Sequence, residues 1–225
     1  MGSRFLSSDL LGCGGYGCVY GTQTPGWVLK ATYDQSEGQF VSKAIALALA
    51  GEDFPAGIVR YRTLIDAPAG FDRFADLNHL LRSSHGEELN PQTLRLYLLW
   101  REEAHFDGEA AAARHQAAED LLAYRGATWP LSSSMWALRM GGDGSFREIV
   151  EKLDRVRKLL DQPAPTQASE AVWAALRFYL VRGLVITDMY ETNVGVVHRG
   201  RERVVAITDP GRVLMLPREV LTFRV

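Results

Sequence analysis

Five glycines fall within ten residues near the N-terminus: Gly12, Gly14, Gly15, Gly17 and Gly21, in the run LLGCGGYGCVYGTQTPGWVLKAT from Leu10 to Thr32. Backbone so poor in Cβ atoms is suited to sharp turns and to close approach by another group. The flanking residues narrow the choice. CVYG and GWVLKAT carry the β-branched and aromatic side chains of strands, and TQTPG between them is a turn. The glycines therefore open into a hairpin, not a helix, and the chain begins as antiparallel sheet. Lys30 stands inside the apolar WVLKAT. A lysine there must point to solvent on the alternate face or reach an anion.

The 225 residues suffice for one large domain or two small ones, and 47% hydrophobic with 23% charged residues is a globular composition. A net charge of −2, with no long block of one sign, gives no reason to expect nucleic acid or an anionic membrane as partner. The two cysteines, Cys13 and Cys18, both lie in the glycine run with no further Cys or His nearby, so a zinc set is not formed. A disulfide would lock a loop whose composition suits movement. The expectation is a pair of reduced thiols in a cytoplasmic protein. MGSRFLSSDLLGCGG lacks the apolar core of a secretory signal, and Leu6 stands where an N-myristoylation signal has Ser or Thr. Apolar stretches such as AIALALAG fall well short of a membrane span.

The segment from Gln35 to Gly51 reads as a helix, with Ser36 as N-cap, Phe40, Val41, Ala44, Ile45, Leu47 and Ala48 on its apolar face, and Gly51 as its stop. GIVRYRTLIDA from Gly57 and LRLYLLWREE from Leu94 read as strands; GFDRFADLNHLLRSS reads as a short helix or an ordered insertion. Beyond Glu103 the character changes. DGEAAAARHQAAEDLLAYRG is strongly helix-forming, SFREIVEKLDRVRKLLD has Ile149, Leu153, Val156, Leu159 and Leu160 at helical spacing, and SEAVWAALRFYLVRG follows the loop QPAPT. GLVITD, NVGVVHR and RVVAITDPGRV are strand-like. The expectation is an α+β chain in two parts. Residues 1–103 form a small antiparallel sheet with one helix, and residues 104–225 form a mainly helical second domain.

Gly12, Gly14 and Gly17 make G-x-G-x-x-G, with Val19 two residues on. Dinucleotide-binding folds share that spacing, but there the loop leads into a helix. A glycine hairpin leading into strands suits a loop folded over phosphates, and Lys30 then reads as a phosphate contact. Glu37 is the carboxylate placed to orient it, although a first-turn glutamate also complements the helix dipole. A second constellation lies downstream: Asp188 and Asn193 in VITDMYETNVGVV, and Asp209 in VVAITDPGRV. One carboxylate and one amide can hold magnesium alongside nucleotide phosphates, and a separate carboxylate can take the proton of an attacking hydroxyl. Each has a plain alternative: Asp209-Pro210-Gly211 is also a good turn, and Asp188 could cap one.

In this order the motifs resemble those of the protein-kinase superfamily. Leu11 to Val19 is similar to its glycine-rich loop, VLK ending at Lys30 to its strand lysine, Asp188 to Asn193 to its D-x-x-x-x-N catalytic loop, and Asp209-Pro210-Gly211 to its D-F-G motif. The resemblance implies a bilobal kinase-like fold using ATP and Mg2+. Gly12, Gly14, Gly15, Gly17 and Val19 would cover the nucleotide. Lys30 would contact the α- and β-phosphates, steered by Glu37. Asp188 would be the base or the hydroxyl-orienting residue, Asn193 and Asp209 would hold the metal, and Trp100 to Glu103 would be the hinge that seats adenine on backbone groups. Departures are visible. Ile186 and Thr187 replace the usual His and Arg, Pro210 replaces Phe, Lys30 and Glu37 are close in sequence, and the sequence runs sixteen residues past Asp209 without an A-P-E segment. These imply a minimal, atypical bacterial-type kinase, similar to compact effector kinases. It would be monomeric, would act on a hydroxyl of a protein substrate, and would be cytoplasmic or, if an effector, secreted into a host cell. The alternatives are an aminoglycoside-type small-molecule kinase, an AMP-transferring enzyme on the same fold, and an ATP-binding pseudokinase.

Overall fold

The computed structural model describes residues 10–14, 16–68, 95–139 and 146–217. The chain is mixed α and β and divides into two compact units, one within 1–54 and 60–103, the other within 55–59 and 104–225.

Among the described residues the first unit carries a five-stranded antiparallel sheet with strand order β1-β2-β3-β5-β4. Its strands are β1 (Leu10–Cys13), β2 (Gly17–Gly21), β3 (Trp27–Thr32), β4 (Tyr61–Pro68) and β5 (Arg95–Glu102). Alternation gives the sheet two distinct faces. On one, Cys18, Tyr20, Ala31, Tyr33 and Leu96 cluster, with Leu29 and Leu98 packed against them. Helix α1 (Gln35–Leu49) buries Phe40, Val41 and Ala44. It approaches β5 closely enough that a Cβ on Gly38 would lie 2.6 Å from the Tyr97 ring. The N-cap is Asp34, not Ser36: its carboxylate accepts from the backbone N–H groups of Ser36 and Glu37. A carboxylate can serve both donors, and Ser36 Oγ itself donates to Asp34 Oδ1. Gly51, at φ +92°, follows the helix in a conformation that favours glycine.

The second unit carries four helices among the described residues: α2 (Glu109–Asp120), α3 (Leu122–Arg139), α4 (Phe146–Asp161) and α5 (Gln167–Leu180). The segment from 107 to 126 is not one helix. It breaks at Leu121, and its second half runs on to Arg139. At the break the Asp120 carboxylate turns to accept from Thr166 and Ser169 at the start of α5. The periodic apolar positions of α4 are buried as a stripe: Ile149, Leu153, Val156 and Leu160. The described residues of this unit also form two small antiparallel pairs, β6 (Leu184–Ile186) with β9 (Val213–Met215), and β7 (Val194–Arg199) with β8 (Glu202–Ile207).

Residues 55–59 join this second unit through backbone bonds, Val59 N–H to Ile207 O and Ile207 N–H to Gly57 O. A Cβ on Gly57 would collide with the Ala171 backbone at 1.9 Å. The GFDRFADLNHLLRSS segment lies outside the described residues.

Candidate functional site

The first constellation lies in the first unit. The hairpin of β1 and β2 sets Cys13 opposite Cys18, and its turn is closed by a bond of 2.8 Å from Gly14 N–H to Gly17 O. The cysteines are joined by a disulfide, which corrects the expectation of two reduced thiols. The reason is register: in a tight antiparallel hairpin these two positions are cross-strand neighbours, with Cα atoms 4.0 Å apart.

The glycines differ in what the fold asks of them. Gly17 is required by packing, because a Cβ would lie 2.8 Å from Ala31 O. Among the described residues Gly12 and Gly14 show no such reason: a Cβ at either would meet none of them within 4 Å, and neither has a positive φ. Gly15 lies outside the described residues.

Lys30 and Glu37 meet as a salt bridge of 2.8 Å, with side chains 7% and 1% exposed. Strand β3 sends Lys30 to the α1 side of the sheet, and the Asp34 cap fixes the first turn of α1 so that Glu37 faces it. A seven-residue separation suffices because β3 ends at Thr32 and α1 begins at Gln35. Val19 is the cross-strand partner of Lys30 and shares its face.

Trp100 is elsewhere. It is paired with Leu29, one position from Lys30's partner Leu99, and so belongs to the opposite face. There its ring meets Trp27 edge-on, 6.4 Å between centroids, with the Arg62 guanidinium stacked on Trp27 at 3.7 Å. The segment is strand, and the N–H groups of Glu102 and Glu103 are already donated to Arg60 O and Gly26 O. Those two donors are not presented to a ligand.

The second constellation lies in the second unit, where Asp188, Asn193 and Asp209 come together. Asp188 follows β6, and a 3-10 turn over Glu191–Asn193 brings the chain back. Asn193 Nδ2 donates to Asp188 O at 2.5 Å, which leaves the amide's oxygen as the atom able to meet a cation. Asn193 O accepts from Thr208 N–H at 2.9 Å, bringing the end of β8, and with it Asp209, beside the same turn. Asp209 Oδ1 accepts from Gly211 N–H at 3.0 Å. Gly211 has φ +53°, and a Cβ there would lie 2.5 Å from Asp188 Cβ. Only glycine lets Asp188 and the Asp209 turn approach so closely. Among the described residues no group of three or more His, Cys, Asp and Glu could hold a metal ion. The donor set offered here is one carboxylate and one amide oxygen, hard ligands that suit magnesium when phosphates complete the shell.

Helices α2 and α3 hold this turn in ways the local sequence did not signal. Arg114 Nη2 and His115 Nδ1 lie 3.1 and 3.6 Å from the Glu191 carboxylate. The Arg125 guanidinium stacks 3.8 Å from the centroid of Tyr190. Tyr124 donates its hydroxyl to Ile186 O at 2.8 Å, and burial pushes its phenol pKa up. Thr187 donates both its N–H and its hydroxyl to Arg212 O, tying the residue before Asp188 to the residue after Gly211.

No protein-family model matches the chain, and no curated protein matches its sequence.

Proposed function

We propose that the chain is an ATP- and magnesium-dependent phosphotransferase of bilobal, kinase-like build, moving the γ-phosphate of ATP to a hydroxyl of a protein substrate. The observation that carries this reading is the buried Lys30–Glu37 pair. Removing two charges from water is costly, and an apolar pair of similar volume would serve stability as well or better. A phosphate ligand gives the pair a purpose: Glu37 holds the ammonium in place and Lys30 neutralises phosphate charge.

Gly12 and Gly14 support the same reading, since no described residue gives a steric need for glycine at either position. In the second unit, Asn193 and Asp209 would hold magnesium, which supplies charge neutralisation at the phosphates. Asp188 is half-buried beside them, and its carboxylate would accept the hydroxyl proton. Catalysis would rest on positioning and electrostatics. In this reading Arg114, His115 and Arg125, through Glu191 and Tyr190, hold the turn that carries Asp188 and Asn193.

The test uses purified chain with magnesium and ATP labelled at the α or the γ position, in cell lysate, beside an Asp209→Ala control. Transfer of γ-label to a protein band, absent in the control, is the expected result. Transfer of α-label would show nucleotidylation instead, and label on neither would remove the protein-kinase reading.

A further inference from the structure

The disulfide lies across the loop that would cover the nucleotide. Cys13 and Cys18 occupy opposite strands of the hairpin, and the residues between them include Gly14 and Gly17. Inside this ring Gly14 N–H is turned inward to Gly17 O at 2.8 Å, so one of the donors a phosphate would use is spent within the loop.

The two sulfurs are unequally placed. Cys18 is fully buried in the cluster with Tyr20, Ala31, Tyr33 and Leu96, whereas Cys13 is exposed. An incoming thiolate can therefore reach one sulfur and displace the other.

We propose that this bridge is a redox gate on the glycine loop: oxidised, it holds the hairpin closed on itself with low affinity for nucleotide phosphates; reduced, it lets the loop open onto them. The inference rests on the phosphate reading of the loop. The reductant is a dithiol. Its first thiolate attacks Cys13 Sγ, the S–S bond breaks, and Cys18 leaves as a thiolate and takes up a proton. The second thiol of the reductant then attacks the mixed disulfide and releases Cys13, which is protonated in turn. Two electrons and two protons pass to the protein, and the dithiol becomes a disulfide. Closure is the reverse, with a disulfide as the oxidant. After reduction Cys18 remains a small apolar residue of the core, so the sheet need not change when the loop opens.

The experiment measures Mg-ATP affinity by titration calorimetry on the full chain, after treatment with dithiothreitol or diamide and removal of the reagent. Alkylation under denaturing conditions, read by mass, counts the thiols in each sample. Reduced protein should show two alkylated thiols, matching the two cysteines of the sequence, and oxidised protein none. Freeing one phosphate-directed hydrogen bond should make the reduced form bind about tenfold more tightly. The difference should reverse on reoxidation. Cys13→Ser keeps Cys18 in the core and should abolish the response to either reagent. Equal affinity in the two states, or tighter binding by the oxidised form, overturns the gate while leaving the nucleotide reading in place. Two alkylated thiols after diamide also overturn it. Absence of binding in both states removes the gate and the nucleotide reading together.

Discussion

Under the proposed phosphate role, Lys30 and Glu37 separate stability from function at the scale of single residues. Both charges are buried, so Glu37→Leu alone leaves an ammonium without its carboxylate and should cost about 3–5 kcal/mol. Lys30→Met combined with Glu37→Leu removes both charges, and its unfolding free energy from urea titration should return to within about 1 kcal/mol of the parent. Nucleotide binding should be lost in the double variant all the same. A double variant that is stable and still binds Mg-ATP with parent affinity would count against the phosphate role. Gly211 is the second residue-scale constraint. A Cβ there meets Asp188 at 2.5 Å, so Gly211→Ala should abolish phosphate transfer. It should also lower stability by about 1–3 kcal/mol, since φ is positive and the space is filled. Full activity in a folded Gly211→Ala protein would show that the closeness of Asp188 and Asp209 does not matter.

Elements set where these residues point. The β1–β2 hairpin keeps glycine at 12 and 14 although, among the described residues, nothing fills the space beside either. Gly12→Ala and Gly14→Ala should therefore leave thermal stability unchanged or raise it by about 0.4–1 kcal/mol. Each should nevertheless weaken Mg-ATP binding. Parallel loss of stability and binding would mean that the fold needs these glycines. Helix α3 and strand β6 are joined by the Tyr124 hydroxyl at Ile186 O. Burial raises this phenol's pKa, and that of Tyr179 on α5 as well. With folded values above the unfolded value of about 10, both tyrosines contribute stability that is fully present below pH about 10. That stability is lost as pH rises further, because the unfolded chain releases its protons first. Tyr124→Phe should cost about 1 kcal/mol at neutral pH. It should also make the decline above pH about 10 shallower. An alkaline limb identical to the parent's in urea titrations would remove Tyr124 from this account.

At the scale of the whole molecule, a ligand that binds only the folded chain adds stability by mass action. At a hundredfold excess over its Kd, Mg-ATP should add about 2.7 kcal/mol, seen as a higher melting temperature. Chelation of magnesium should remove most of that gain, and Asp209→Ala should lose the magnesium-dependent share while keeping the share due to Lys30. A gain indifferent to magnesium in the parent would separate nucleotide binding from the Asn193–Asp209 site and favour an ATP-binding scaffold. Among the described residues no helix is long and apolar enough to cross a membrane. Both units bury cores of their own, through the clustered sheet face in the first and the stripe of α4 with α5 in the second.

Several features follow from sequence alone because their causes are local. The 3.6-residue repeat of α4 depends only on which residues share a helix face, and the strand character of WVLKAT on β-branched and aromatic side chains. The glycine-rich turn was legible for the same reason. Other features needed tertiary structure because they depend on what packing brings opposite. The capping carboxylate of α1 belongs to Asp34, one residue outside the expected start, and the break at Leu121 accompanies Asp120's turn toward the start of α5. Residues 55–59 belong to the second unit through backbone bonds to β8, for which no sequence signal exists. The meeting of Asp188, Asn193 and Asp209 depends on the return of β8 and on a single missing Cβ at Gly211. Trp100 was placed by strand alternation on the face away from Lys30, and the cysteines were joined by hairpin register. Composition specified which groups were available for chemistry; only the fold decided which of them touch.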